Sequence, residues 1–176
     1  YGQVNLVINN AGVALGATVE DMNYDDFEWL MGINFWGVVY GTKAFLPFLK
    51  EADEAHIVNI SSVFGLVGIP TQSAYNAAKF AVRGFTESLR MELEIEGGRV
   101  SCSCVHPGGI KTNIARNARM NDVSHITGAD AEKSIADFEK MFRTTAADAA
   151  STIINGVRRN KRRILIGGDA YAIDTM

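Results

Sequence analysis

The chain has little cysteine and little proline, with 2 and 3 among its 176 residues. Cys102 and Cys104 are two positions apart, so in an extended segment they share one face and lie too close along the chain to form a disulfide easily. Further metal ligands at suitable spacing are lacking nearby. The sequence therefore predicts two small buried thiols in a reducing compartment, and no metal site.

Excess positive charge is also lacking, because 17 basic residues face 20 acidic ones and the net charge is −3. No global field therefore attracts nucleic acid or an anionic membrane. The basic run at residues 158–163 is the local exception, and we interpret it as a solvated helix end rather than a binding patch. No apolar run approaches the roughly 20 residues of a membrane helix, and no charged signal-peptide start is seen. We expect a cytoplasmic protein with no nucleic-acid or membrane partner.

What the sequence does contain is an alternation of short apolar segments with helical patterns. The predicted strands are residues 4–8, 56–61, 100–105 and 163–166, and the predicted helices are residues 25–50, 74–94 and 145–159. Such alternation requires βαβ crossovers, and hence a parallel sheet covered on both faces. The polar stretch 110–134 is predicted to be a loop with one helix at most. Residues 1–176 are expected to form a single α/β domain of the doubly wound type.

The strongest chemical pattern is Tyr75-x-x-x-Lys79 near the start of a predicted helix. Because the two residues are four apart, their side chains leave the same helical face. A phenol ionises at about pH 10, and a nearby ammonium would favour the phenolate and lower the pKa of Tyr75. Since this pair occurs by chance in many helices, its context must support a catalytic role.

That context consists of polar residues at the ends of predicted strands. Ser62 follows the second strand, at the edge where ligands bind in open α/β sheets, and precedes Tyr75 by thirteen residues. Asn34 interrupts the apolar stripe of the preceding helix, where its amide is either satisfied in the core or used for water and backbone contacts. The segment Pro107-Gly108-Gly109-Ile110-Lys111-Thr112 follows the third strand.

These motifs occur in the order and spacing of the short-chain dehydrogenase/reductase family, which the chain resembles from Gly2 to about Gly168. They are Asn9-Asn10-Ala11-Gly12, Asn34, Ser62, Tyr75-Asn76-Ala77-Ala78-Lys79 and Pro107-Gly108-x-Ile110-x-Thr112. The resemblance implies a Rossmann-like sheet with helices on both faces. It also implies an oxidoreductase that interconverts a secondary alcohol and a ketone with NAD or NADP as cofactor.

The resemblance further implies a catalytic tetrad of Asn34, Ser62, Tyr75 and Lys79. Ser62 would polarise the carbonyl, Tyr75 would exchange its proton, and Asn34 would hold a water that links Lys79 to solvent. Lys79 would lower the pKa of Tyr75 and hold the nicotinamide ribose. The residues implied for cofactor binding are Asn9, Ala11, Gly12, Tyr75, Lys79, Pro107, Gly108, Ile110 and Thr112. The first three would line the adenosine side, and the last four would lie along the nicotinamide.

The family's amino-terminal third, with its first three strands and its Thr-Gly-x-x-x-Gly-x-Gly phosphate loop, has no counterpart in this sequence. Gly12 and Gly16 lack the third glycine and the acidic ribose-binding residue of a dinucleotide fingerprint. We therefore expect a sheet truncated at its first three strands, with residues 4–8 as an apolar edge. We also expect these 176 residues to bind nicotinamide cofactor weakly or not at all.

Two other functions compete with this interpretation. A non-catalytic binding or scaffold protein of the same fold is favoured by the missing phosphate loop and opposed by the intact tetrad. A serine hydrolase built on Ser62 and His106 is disfavoured, because Ser62 lies in Ser-Ser-Val-Phe-Gly without a Gly-x-Ser-x-Gly elbow.

The helices at residues 25–50 and 74–94 carry apolar side chains on more than one face, including Phe35 with Trp36 and Phe80 with Phe85. Family members commonly pair through these two helices, so the resemblance implies a homodimer or homotetramer. Residues 110–140 are expected to form the substrate loop.

Overall fold

The computed structural model describes residues 2–128, 130–140 and 142–175. Its strands are β1 (Leu6–Asn9), β2 (Leu15–Gly16), β3 (Ala55–Ile60), β4 (Val100–Pro107), β5 (Arg119–Met120) and β6 (Arg163–Ile166). Its helices are α1 (Tyr24–Met31), α2 (Gly37–Lys50), α3 (Ser73–Ile95), α4 (Ser124–Thr127), α5 (Ala131–Glu139), α6 (Ala146–Arg158) and α7 (Gly168–Asp174). A π-helical turn, Gly32–Trp36, joins α1 to α2, and a 3₁₀ turn, Val63–Gly65, comes after β3.

The central sheet has the strand order β1-β3-β4-β6, and every neighbouring pair is parallel. This confirms the predicted α/β architecture. Within the part of the chain that the structure describes, β1 has β3 as its one strand neighbour. Leu6 and Ile8 of β1 are 39% and 43% exposed, as the expectation of an apolar edge requires.

Alternate residues of the inner strands point to opposite faces of the sheet. On one face, Ile57 of β3 packs with Leu49 of α2 and Leu89 of α3. On the other face, Val58 of β3 packs with Val105 of β4 and with side chains of α6. The helices therefore cover both faces, as predicted.

The helix predicted at residues 25–50 is interrupted by the π-helical turn. Its widened turn is closed by the Gly37 N–H, which donates to the carbonyl of Gly32, five residues back. The helix begins at the cap residue Asn23, whose side chain accepts a hydrogen bond from Asp26 N. Helix α2 continues through Pro47 to Lys50.

Several predicted boundaries are also wrong. His106 and Pro107 lie beyond the strand predicted at residues 100–105 but belong to β4, because they pair with Leu165 and Ile166 of β6. Gln72 is the cap residue of α3, and the buried Ser73 hydroxyl has no hydrogen-bond partner among the described residues. The stretch 110–134 is more regular than predicted, since it holds β5, α4 and the start of α5. Helix α7 was not predicted.

The basic run at residues 158–163 is mostly exposed, as expected, but two of its arginines form ion pairs. Arg162 pairs with Glu94 of α3 at 2.5 Å, and Arg163 pairs with Asp174 of α7 at 2.5 Å. Both partners are distant in sequence or lie in the unpredicted helix, so the pattern of charges could not reveal them. The run ties β6 to its neighbours.

Candidate active site

The carboxyl ends of β1, β3 and β4 lie at one edge of the parallel sheet. Each leads into one of the motifs found in the sequence, and the start of α3 packs through Ala74 and Ala78 against Leu15 of the segment that follows β1. Four polar side chains come together here, those of Asn34, Ser62, Tyr75 and Lys79, and this group is named the Tyr75 corner. The elements that carry them are the π-helical turn, the end of β3 and α3.

Ser62 and Tyr75 interact directly within the Tyr75 corner. Ser62 caps the 3₁₀ turn, where its hydroxyl accepts a hydrogen bond from Phe64 N at 3.1 Å. The Phe64 ring meets the Tyr75 ring edge-on, with 6.0 Å between centroids. Burial raises the pKa of Tyr75 to about 12, while hydrogen bonding with Ser62 acts in the opposite direction. Tyr75 therefore carries its proton at neutral pH in this state.

Lys79 lies one helical turn further along α3 and is only 3% exposed. Its ammonium donates to the Ile60 carbonyl at 2.9 Å and lies 5.5 Å from the centroid of the Tyr75 ring. Burial lowers the pKa of Lys79 to about 8. From the sequence, Lys79 was expected to lower the pKa of Tyr75. In this structure the burial of the phenol dominates, and the pKa of Tyr75 is raised instead.

Asn34 lies in the π-helical turn and is completely buried. Its carboxamide makes two hydrogen bonds to the main chain of Val13, from Val13 N at 2.8 Å and to Val13 O at 2.9 Å. The sequence left open whether the Asn34 amide is satisfied in the core or used for water and backbone contacts. In the structure the amide is buried and hydrogen-bonded to the main chain. A Cβ built on Gly12 would lie 3.5 Å from Asn34 Oδ1 and 3.7 Å from Lys79 Nζ, so both side chains converge on this glycine.

Asn9 braces the sheet beneath the Asn-Asn-Ala-Gly turn. Its Nδ2 donates to Asn59 Oδ1 at 2.8 Å and to Thr42 Oγ1 at 3.2 Å, which joins β1 to β3 and α2. Gly41 leaves the space for this carboxamide, since a Cβ there would overlap Asn9. Ala11 and Gly12 are exposed instead. Of the three residues expected to line the adenosine side, Asn9 thus stabilises the sheet, whereas Ala11 and Gly12 lie in an exposed turn.

The segment from Pro107 to Thr112 leaves β4 at the same edge. Gly109 N donates to the carboxylate of Asp169 at 2.7 Å, and a Cβ on Gly108 would collide with that carboxylate. Ile110 forms an isolated parallel bridge with Thr144, and the exposed Thr112 hydroxyl accepts from Ile114 N at 3.5 Å. Asp169 was missed by the sequence analysis, although an acidic residue just after Gly167-Gly168 is a typical sign of a helix start.

The 110–140 segment is attached to the loop after β1 through the short parallel pair β2–β5. Arg119 of β5 forms a 2.7 Å ion pair with Asp26, and its guanidinium lies 3.7 Å from the centroid of the Trp29 ring. Both partners belong to α1. These contacts were not predicted, because Arg119 and Asp26 are 93 residues apart and no local pattern links them.

His106 does not form a dyad with the Ser62 hydroxyl, since its Nδ1 lies 2.9 Å from the main-chain carbonyl of Ser62. Cys102 and Cys104 are free and buried, which confirms the predicted thiols. Among the residues described, no three histidines, cysteines or acids gather as a metal site. No helix in the described ranges is long and apolar enough to cross a membrane.

A parallel, doubly wound sheet with its polar cluster at the carboxyl edge defines a Rossmann-like α/β protein with a ligand site at that edge. The family model described as short chain dehydrogenase matches residues 1–122. The chain therefore belongs to the short-chain dehydrogenase/reductase family.

Relatives and solved structures agree with this assignment. SadH of Mycobacterium tuberculosis, named as a candidate oxidoreductase, is 47% identical over all of this chain and 62% of its own length. Dehydrogenase/reductase SDR family member 7B of Mus musculus is 36% identical over 94% of this chain and 49% of its own length. The structure of a short-chain dehydrogenase/reductase from Burkholderia phymatum, in complex with NAD, has a TM-score of 0.86 and 31% identity over 98% of this chain and 64% of that one. The chain thus spans less than two thirds of each of these proteins.

Proposed function

We propose that this chain carries the proton-transfer site of an oxidoreductase that interconverts a secondary alcohol and a ketone with NAD or NADP. The observation that carries the proposal is the Tyr75 corner. Tyr75 contacts Ser62 and lies beside Lys79, and all three lie at the ligand-binding edge of a parallel sheet. A protonated phenol and a hydroxyl placed together are the groups that reduction of a carbonyl requires.

Each side chain of the Tyr75 corner would have one role in the reaction. Because its pKa is about 12, Tyr75 is a proton donor at neutral pH and would protonate the carbonyl oxygen during reduction. Ser62 would hydrogen-bond the same oxygen and stabilise its developing charge. In the oxidative direction Tyr75 must lose its proton, which Lys79 would favour by moving its charge towards the phenol. Asn34 fixes Val13 and would hold a water beside Lys79. The cofactor supplies or accepts the hydride.

The residues at this edge fit a dinucleotide. An ammonium has three donors, and the bond to Ile60 uses one, so buried Lys79 has donors left for ribose hydroxyls. Ala11 and Gly12 are small and exposed, and leave room for a close approach to the main chain. We propose that Asn9, Ala11 and Gly12 support the adenosine side, Asn9 indirectly through the sheet. Pro107, Gly108, Ile110 and Thr112 would lie along the nicotinamide. The Burkholderia phymatum protein was solved with NAD, and a fold relative from Burkholderia cenocepacia was solved with NADP.

The glycines that follow β1, Gly12 and Gly16, have a threonine where a Gly-x-x-x-Gly-x-Gly phosphate loop has its third glycine. We therefore expect the 176 residues by themselves to bind either dinucleotide weakly. Isothermal titration with NAD and NADP would measure this, and a micromolar or tighter dissociation constant would contradict it.

The test of the function is turnover of a panel of ketones and secondary alcohols with both cofactors, using the protein as its natural gene encodes it. Tyr75→Phe keeps the ring but removes the proton and should lower kcat by about 1,000-fold or more. Tyr24→Phe is the matched control, because Tyr24 is 87% exposed on α1 and should retain wild-type activity. An inactive wild type, or equal activity in the wild type and Tyr75→Phe, would instead favour a non-catalytic binding or scaffold protein.

We further propose that the protein pairs with itself through α2 and α3. Five apolar side chains at the start of α2 or along α2 and α3 are between 42% and 64% exposed, namely Trp36, Tyr40, Phe48, Phe80 and Met91. Phe35 packs edge-on against Phe85, so it is less available to a partner than Trp36. Light scattering should show a dimer or tetramer, and a monomer would contradict the proposal.

The two free thiols support a reducing compartment, the cytoplasm, which cell fractionation would test.

A further inference from the structure

His106 has a completely buried imidazole next to the Tyr75 corner, yet the proton-transfer scheme gives it no part. Its Nδ1 lies 2.9 Å from the carbonyl oxygen of Ser62, while its Nε2 is buried with no hydrogen-bond partner. We propose that His106 is a positioning residue, which holds Ser62 in place by donating a hydrogen bond from Nδ1 to the Ser62 carbonyl. This inference rests on the proposed function, in which Ser62 binds the substrate oxygen.

The contact itself determines where the imidazole carries its proton. A carbonyl oxygen can only accept, so Nδ1 must be the donor and His106 must be in its Nδ1–H form. The surroundings keep the ring neutral, because burial lowers the pKa of His106 and the charges of Arg83 and Arg163 act in the same direction. The bond to Ser62 and the charge of Asp174 oppose them without reversing the direction.

The bond lies where the main-chain ladder between β3 and β4 ends. The last paired residues are Ile60 and Val105, and the last main-chain bond runs from Ser61 N to Val105 O at 2.8 Å. One residue beyond this bond on each side, no main-chain bond follows between the described residues of the two strands, and the His106 side chain bonds the carbonyl of Ser62. The serine would otherwise stand beyond the region that the sheet fixes.

The Ser62 carbonyl has two acceptor positions, and both are used. The second donor is Gly65 N at 3.0 Å, which closes the 3₁₀ turn. That turn has no spare room, since a Cβ on Gly65 would overlap Ser61 Oγ and lie 2.8 Å from the Lys79 carbonyl. The Ser62 hydroxyl in turn bonds Phe64 N within the turn. Without His106, one of the two bonds that orient the Ser62 peptide is lost, and the hydroxyl loses its fixed direction.

The experiment compares three variants of the protein as its natural gene encodes it. His106→Leu removes the donor. His106→Asn keeps one, since its amide nitrogen is attached to Cγ as Nδ1 is. His56→Leu is the matched control: His56 is also buried in this sheet, 7% exposed, but its Nε2 contacts Ser103 Oγ at 2.7 Å, far from Ser62 in the register. Activity is compared at equal folded fraction, measured by circular dichroism.

We expect His106→Leu to lower kcat by about 10- to 100-fold, because the Ser62 hydroxyl would be misplaced relative to the substrate oxygen. The KM for the dinucleotide should change little. His106→Asn should recover most of this loss, and His56→Leu should show none of it. Equal kcat in His106→Leu and His56→Leu, or no recovery in His106→Asn, would overturn the proposal.

A second measurement does not depend on activity. Nitrogen-15 spectra of the imidazoles should show His106 as the neutral Nδ1–H form throughout the neutral pH range, and a neutral Nε2–H form would overturn the proposal. If the wild type turns over no substrate, the proposed function fails, while the spectra still decide whether His106 holds the Ser62 carbonyl.

Discussion

The Tyr75 corner and the 110–140 segment border the same edge of the sheet, but different kinds of contact hold them. In the corner, buried side chains bond to main-chain atoms of neighbouring elements. Lys79 bonds the carbonyl of Ile60, and Asn34 bonds both the N–H and the carbonyl of Val13. Such bonds exclude water, and breaking one leaves a buried polar group without a partner.

The 110–140 segment is attached through a short strand pair and one arginine. Strand β5 pairs with β2, and Arg119 bridges to α1, while the pair between Arg116 and Glu139 lies within the segment itself. Under the proposed function, proton transfer would be built into the sheet and α3, whereas substrate selection would lie in a segment attached to them from outside.

The largest expected effect is that of Lys79→Met, which should affect activity and stability in opposite directions. The pKa of Lys79 is lowered from 10.5 to about 8 in the folded protein. Between these values the unfolded chain binds more protons, so the folded state gains stability as pH rises from 8 to 10.5 and carries the full penalty below 8. That penalty is about 3 kcal/mol. Removing the ammonium should therefore stabilise the protein at pH 7 by about 2 kcal/mol after the lost hydrogen bond is subtracted.

Urea denaturation at pH 7 and at pH 10.5 would measure this effect, and the stabilisation should disappear at the higher pH. Activity should fall by about 1,000-fold at the same time. Lys161→Met is the control, because Lys161 is exposed and should change neither quantity. A destabilised Lys79→Met at pH 7 would show that the burial of Lys79 costs the fold nothing.

How far the sequence could predict this arrangement depends on the range of the contacts. The four strands of the main sheet and the helices over them can be predicted from apolar periodicity, which is local. The spacing of Tyr75 and Lys79 is also local, and Ser62 was found because strands end at recognisable positions. The resemblance to a known family then joined these separate observations into one site.

Contacts between distant segments could not be predicted. Strands β2 and β5 have two residues each, too few for any periodic pattern, and the partners of Arg119 lie about 90 residues earlier in the chain. The pKa of Tyr75 was predicted in the wrong direction for this state, because spacing shows which charge is near but not how deeply the phenol is buried. His106 lies just beyond the strand predicted at residues 100–105, so its bond to Ser62 could not be anticipated.

Arg119→Met tests the attachment of the 110–140 segment and should have a smaller effect than Lys79→Met. It removes both the ion pair to Asp26 and the contact with the Trp29 ring. If the segment lines the substrate pocket, loosening it should raise the KM for the ketone by about 3- to 10-fold and leave kcat nearly unchanged. Arg119→Lys should fall between the two, since a lysine keeps the charge but not the planar fork. Steady-state kinetics would decide, and a fall in kcat at constant KM would place Arg119 with the corner instead.

The smallest effect is expected for Glu139→Gln, which breaks the bidentate pair between Glu139 and Arg116 within the 110–140 segment. The hydrogen bond from Arg116 holds the pKa of Glu139 below its usual value, but the Arg116 side chain is 69% exposed and its charge is screened by water. We expect no measurable change in the urea midpoint, in kcat or in KM. The matched variant is Arg116→Gln, which removes the other partner. If either variant raised the KM as Arg119→Met does, the segment would be held by its own internal pair as well as by its attachment to α1.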